Sequence, residues 1–186
     1  MSLFEFVTVM VSMILALTLG QLLTGASFLL KSSREVRWYA PHTLWLVTLG
    51  LTLVNHWWSL WDFHTLDWDY ASFLYILIAP VLIALAVGLI APDRSASGSL
   101  DMMQQYTHVR RPFALLFVAY VLAMWFDGPL LAGHDPLGTI GLLHPPILAG
   151  AVLALVTDNR KANLVAPLLV FTMMVVVIII RFRMMG

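Results

Sequence analysis

The stretch Tyr70–Ile90 reads YASFLYILIAPVLIALAVGLI and contains no charged residue. A helix needs about 20 mostly apolar residues to cross the hydrocarbon core of a bilayer, so this stretch predicts a membrane span. Five other stretches have the same character and complete a set of six. The predicted spans are Leu3–Leu30, Tyr39–Trp61, Tyr70–Ile90, Pro112–Leu131, Ile140–Val156 and Ala162–Ile180. We therefore expect an all-α integral membrane protein, a bundle of six transmembrane helices forming one domain over residues 1–186.

Composition supports this class of protein. Of the 186 residues, 61% are hydrophobic and only 11% are charged, whereas about 25% are charged in a typical soluble domain. A soluble fold of this length has too much surface to bury so many apolar side chains. The formal net charge is zero, so there is no basic field to attract nucleic acid. The chain has no cysteine, which excludes disulfides, iron–sulfur clusters and thiol catalysis, and a non-enzymatic role is favoured.

The linkers between the predicted spans are short, and the longest is the third, Ala91–Arg111. Within it Leu100, Met103, Tyr106 and Val109 recur at helical spacing. This pattern predicts a short interfacial helix that lies at the membrane surface. An ordered loop is the alternative interpretation of the same residues.

Two prolines interrupt otherwise apolar spans. Pro80 lies within the third span and Pro167 near the start of the sixth. Because proline lacks an amide hydrogen and its ring crowds the preceding turn, each predicts a kink.

Lysine and arginine fall unevenly on the two sides of the predicted bundle, and this predicts its orientation. Only Arg181 and Arg183 of the ten basic residues lie on the side that holds the termini. By the positive-inside rule the other side is cytoplasmic. We therefore expect both termini outside a bacterial cytoplasmic membrane. The eight basic residues on the predicted cytoplasmic side are Lys31, Arg34, Arg37, Arg94, Arg110, Arg111, Arg160 and Lys161.

The first span carries polar groups along one helical face. Glu5 and Gln21 are costly to place in hydrocarbon, and such residues are often functional. Small side chains on this face indicate either close helix packing, within the chain or in a homo-oligomer, or a lined pathway. The residues that share the face with Glu5 are Thr8, Ser12, Ala16, Gly20, Thr24 and Ser27.

Further candidate residues cluster toward the outer ends of the other spans. Most of them belong to one run, from Asn55 to His64, at the end of the second span. A buried amide or imidazole requires hydrogen-bond partners, so these residues predict a polar constellation. The predicted transport or ligand-binding residues are Glu5, Gln21, Asn55, His56, Asp62, His64, Asp127 and His144.

Several interpretations of this group stay open at the level of sequence. An acidic mouth with histidines is typical of a proton or cation entrance. His56, His64 and His144 with a carboxylate suit a metal site, although no pair has the close helical spacing of a metal motif. Polar residues that only cap helix ends and bond to each other are the third interpretation.

A bound haem or quinone is a further possibility for the second span. His42 and His56 are 14 residues apart in this span, which corresponds to about 21 Å along a helix. Two haem levels in a membrane protein have such a separation, with histidines on facing helices as ligands. The identity of any cofactor therefore stays open.

From these features we expect a channel or transporter for protons or a small cation, with an acidic, histidine-containing outer mouth. The alternative is a non-catalytic accessory subunit that binds a lipid, a cofactor or a larger membrane complex. The expected partners are the lipid bilayer, further copies of this chain and a membrane protein partner, with no nucleic acid.

Overall fold

The computed structural model describes residues 2–32, 36–92 and 100–185, and within these ranges the chain is all-α apart from two very short strands. Arg34 and Arg94, two of the basic residues assigned above to the cytoplasmic side, lie outside the described residues. The elements are α1 (Leu3–Lys31), β1 (Val36–Arg37), α2 (Ala40–Ser59), α3 (Tyr70–Ile76), α4 (Ile78–Ile90), β2 (Leu100–Asp101), α5 (Met102–Ala132), α6 (His144–Val156) and α7 (Arg160–Met185).

Four helical segments of the described chain are long and apolar enough to cross a membrane. Two of the six predicted spans do not meet this measure. α2 has 20 residues, but its threonines, histidines and Asn55 lower its hydropathy. α6 has 13 residues, and at 1.5 Å per residue it is shorter than a hydrocarbon core of about 30 Å. The four segments are Leu3–Lys31, Tyr70–Ile90, Met102–Ala132 and Arg160–Arg183.

The prediction of a separate interfacial helix before the fourth span is wrong. Met102–Ala132 is one continuous helix of 31 residues, and Pro112 lies inside it. A helix-interior proline loses one hydrogen bond and crowds the previous turn. The turns before Pro112 are nevertheless held by packing, because Met102, Tyr106 and Arg110 are buried.

The third predicted span is divided into two helices one turn before Pro80. α3 ends at Ile76, Leu77 interrupts the helix, and α4 begins at Ile78. Pro80 has no amide hydrogen to donate to the carbonyl of Ile76, four residues earlier, so the hydrogen-bond ladder breaks there. No such division occurs at Pro167, which lies inside the continuous α7.

α3 begins at a side-chain cap. The Asp69 carboxylate accepts a hydrogen bond of 2.7 Å from the Ser72 amide. This bond stabilises the charged carboxylate, so it lowers the pKa of Asp69. The cap fixes where the chain turns back into the bundle after the loop that follows α2.

α2 and α5 share the aromatic core of the bundle. Trp45 packs edge-on against Phe113 and Phe117, with ring centroids 5.0 and 5.2 Å apart. All three side chains are fully buried. The remaining helices surround this pair, as α2 also packs on α1, α4 and α7, and α5 on α4 and α6. The polar residues of α2 are therefore inside the protein, which explains how so polar a helix fits an apolar bundle.

One end of the bundle is basic. There β1 pairs in parallel with β2 and joins the first linker to the third. Beside this pair the buried Arg110 guanidinium bonds to Asp158 and, at 3.3 Å, to Asn163 Oδ1. These bonds link α5 to the α6–α7 turn and to α7. The opposite end carries the candidate site.

Candidate functional site

A cavity of about 610 Å³ opens at the end of the bundle opposite the basic end. Side chains from α2, α5, α6 and α7, together with the loop between α5 and α6, line it. Its walls are mainly apolar, and polar groups converge at a few points. Pockets that bind small molecules have this size and character.

Four of the eight predicted site residues line this one cavity. Asn55 lies on α2, Asp62 follows it, Asp127 is on α5, and His144 begins α6. The Asp127 carboxylate accepts a hydrogen bond of 2.6 Å from the Gly128 amide. Residues far apart in the chain therefore meet at one place, because neighbouring antiparallel helices end at the same level.

Arg181 enters the cavity as the partner of Asp62. The two side chains form an ion pair of 2.7 Å between Arg181 Nη1 and Asp62 Oδ2. The Arg181 side chain is only 13% exposed, and its Nε is buried without a hydrogen-bond partner. The pair joins α7 to the turn after α2, and both of its side chains form part of the cavity wall.

The loop after α5 lies against the cavity and is held at both of its ends. α5 ends at Gly133, whose φ of 63° is the left-handed conformation that glycine adopts without strain. The Trp125 indole donates a hydrogen bond of 3.0 Å to the Pro136 carbonyl. The same indole stacks parallel to the His144 ring at 6.3 Å. These contacts position His144 and hold the loop over the helix ends.

His56 lies behind the cavity wall. Its ring stacks on Tyr120, and a hydrogen bond of 3.2 Å joins His56 Nδ1 to the Tyr120 hydroxyl. Tyr120 in turn lines the cavity. A second void of about 10 Å³, lined by His56, Tyr75 and Asp127 among others, has about the volume of one water molecule. His56 therefore does not line the cavity but contacts a residue that does, Tyr120.

The other predicted residues lie outside the cavity lining. His64 donates from Nδ1 to the Trp61 carbonyl and stacks on the Trp61 ring at 4.7 Å, and Trp61 is a lining residue. Glu5 forms a capping box with Ser2 at the start of α1. Gln21 is exposed on α1, where its amide nitrogen points toward α4 at Gly88.

The polar face of α1 is only partly used within the chain. Ser12 accepts a hydrogen bond of 3.1 Å from the Trp57 indole, whereas Ala16, Gly20 and Thr24 are exposed. The buried face of α1 is instead made mainly of apolar residues. These are Val7, Val11, Leu15, Leu22 and Leu29, together with Thr18 and Gly25.

No cluster of metal-ligating side chains is assembled in the described part of the chain. There, no three histidine, aspartate or glutamate side chains lie close enough to hold a metal ion. The α5 residues that face the two histidines of α2 are tyrosines: Tyr106 packs beside His42, and Tyr120 beside His56. His42 itself donates from Nε2 to the Ile90 carbonyl at 2.8 Å.

Three residues of the site were not singled out in the sequence. Arg181 served only as evidence on orientation, and Trp125 was not among the predicted site residues. Tyr120 was not considered. One signal for Arg181 was present, since an arginine at the acidic end of the bundle requires a carboxylate partner when it is buried.

Comparison of the chain with protein-family models, with curated proteins and with solved structures gave no match. The geometry of the site is therefore the basis for any statement about function.

Proposed function

We propose that the protein crosses the membrane six times and takes up a cation through the cavity, which opens on the non-cytoplasmic side. The charge of the lining carries this proposal. Asp62, Asp127 and Asp135 face a single guanidinium, Arg181. Asp62 pairs with Arg181, so Asp127 and Asp135 remain as lining carboxyl groups without an ion pair among the described residues. Such a cavity concentrates cations near its mouth.

The distribution of basic residues supports the orientation. Lys31, Arg37, Arg111, Arg160 and Lys161 are exposed at the end opposite the cavity. An excess of lysine and arginine marks the cytoplasmic side of bacterial membrane proteins. The cavity and both termini then face outward. The assembly of several copies stays a prediction.

Cation flux into proteoliposomes tests this function. A pH gradient or a potassium gradient is imposed, and its dissipation is followed with an enclosed dye. We expect Asp127→Asn to reduce the flux at least tenfold, because it removes a lining carboxyl group that forms no ion pair among the described residues. Asp67→Asn is the matched control, since Asp67 is exposed at the same end and does not line the cavity. Equal flux through wild type and Asp127→Asn contradicts the proposal.

A second candidate function, cation binding without transport, is favoured by the core beneath the cavity. Trp45, Phe113 and Phe117 fill the space between α2 and α5. Passage through this region requires these rings to move. A subunit that only binds its ligand retains saturable binding and shows no flux in the same vesicles.

A further inference from the structure

The size of the cavity bears on the class of cation that it binds. A metal ion needs several oxygen or nitrogen ligands at about 2 to 2.6 Å. The described residues supply no such group, and a volume of about 610 Å³ is far larger than a bare ion needs. Pockets of about 300 to 1,000 Å³ are typical of organic ligands.

Aromatic side chains contribute to the wall. Trp61, Phe63, Phe117, Tyr120 and Trp125 line the cavity. Trp61 is the most exposed of these and lies beside the acidic Asp62. The faces of aromatic rings attract cations, with tryptophan the strongest, and more so where water is excluded. Such walls bind an apolar body and a positive charge together.

The ionic groups are arranged to favour a positive ligand over a negative one. Arg181 is the lining guanidinium, and Asp62 already binds it. Asp127 accepts a hydrogen bond from the Gly128 amide, and among the described residues it forms no ion pair with an arginine or a lysine. Aspartates outnumber guanidinium groups in the lining, which favours a cation over an anion in the cavity.

We propose that the ligand of this cavity is an organic cation with an apolar body, held by Asp127 and by the aromatic walls. The proposal rests on the proposed function, because it takes the cavity to be the cation site. It adds that a hydrated inorganic ion is not the preferred ligand.

A pair of ions with matched shape and opposite charge tests this ligand class. Tetraphenylphosphonium and tetraphenylborate differ mainly in the sign of their charge. Each is titrated into the purified full-length protein, and the quenching of tryptophan fluorescence is recorded. We expect saturable binding of tetraphenylphosphonium and at least tenfold weaker binding of tetraphenylborate. Comparable affinities, or no saturable binding of tetraphenylphosphonium, overturn the proposal.

Variants then locate the binding site. Asp127→Asn should weaken tetraphenylphosphonium binding at least tenfold, and Asp67→Asn should leave it unchanged. Unaltered binding by Asp127→Asn contradicts the assigned residue. The wild-type comparison of the two probes needs no variant, so a variant that does not fold leaves the test intact.

The failure of this proposal is distinguishable from the failure of the proposed function. Proton or potassium flux that depends on Asp127, without tetraphenylphosphonium binding, overturns the organic cation and supports the cation function. Tetraphenylphosphonium binding that depends on Asp127 supports the organic cation; if no cation flux accompanies it, cation binding without transport is favoured over uptake. Neither binding nor flux overturns both.

Discussion

The ion pair between Asp62 and Arg181 is the contact that joins α7 to the cavity wall. Asp62→Asn leaves the largely buried Arg181 without its carboxylate. Because Asp62 is partly exposed, we expect the free energy of unfolding to fall by only about 1 to 2 kcal/mol. Arg181→Gln should have a similar effect, and the double variant should lose less than the sum, since the two groups are coupled. SDS titration of the purified protein measures this, and strictly additive losses contradict the pairing.

Two adjacent arginines at the basic end offer an internal comparison. Arg110 and Arg111 both bond to Asp158, but the Arg110 side chain is 4% exposed and that of Arg111 is 68% exposed. Asp158→Asn leaves Arg110 buried without its carboxylate, and we expect a loss of about 2 kcal/mol in the free energy of unfolding. Arg111→Gln should cost less than about 1 kcal/mol, because exposed pairs contribute little. Equal losses in the same SDS titration contradict this account.

At the level of single residues, the sequence singled out Asp62, Asp127 and His144 of the cavity lining, but not Asp135, His134 or Arg181. Asp127 and His144 follow from the rule that a polar group inside a span is costly and often functional, and Asp62 from its place directly after the second span. Arg181 does not, because its pairing depends on α7 ending beside the turn after α2. The role of Glu5 was readable, since Ser2 and Glu5 have the spacing of a capping box.

At the scale of helices, Gly150 allows α6 to pack closely on α7. A Cβ atom placed at Gly150 lies 2.7 Å from Val170 Cγ2 and 3.1 Å from the Ala166 carbonyl oxygen. Gly150→Ala should therefore lower the free energy of unfolding by about 1 to 3 kcal/mol, because the helices must separate. Gly20→Ala is the control: no atom of the described residues lies within 4 Å of its Cβ position, and alanine favours helix. Thermal unfolding in detergent compares the two, and equal midpoints contradict the packing argument.

The positions of the helices were predictable from hydropathy, but the extent of the fourth span was not. The fourth span was predicted to begin at Pro112, whereas the helix begins ten residues earlier, at Met102. Local preference was overridden by packing, since Tyr106 bonds to the Trp45 indole at 3.3 Å and Arg110 to Asp158. Contacts between distant residues are not visible in the local pattern.

In the whole molecule, four of the described segments are apolar enough to span a membrane. The proposed topology of six spans also needs α2, which is more polar, and α6, which is shorter, to cross the membrane. α2 lies inside the bundle, where most of its polar residues are buried. α6 is extended at its start by the 3-10 turn Gly141–Leu143. The basic and acidic ends then coincide with the two membrane faces.

Labelling of one introduced cysteine tests the central claim most directly, because the chain has none of its own. Thr139 lines the cavity, and Leu137 lies in the same loop without lining it. In intact cells, a membrane-impermeant thiol reagent should label both Thr139→Cys and Leu137→Cys. Tetraphenylphosphonium should slow the labelling of Thr139→Cys several-fold and leave Leu137→Cys unchanged. Labelling of Thr139→Cys only after permeabilisation, or without protection by the cation, contradicts an outward-facing cation cavity.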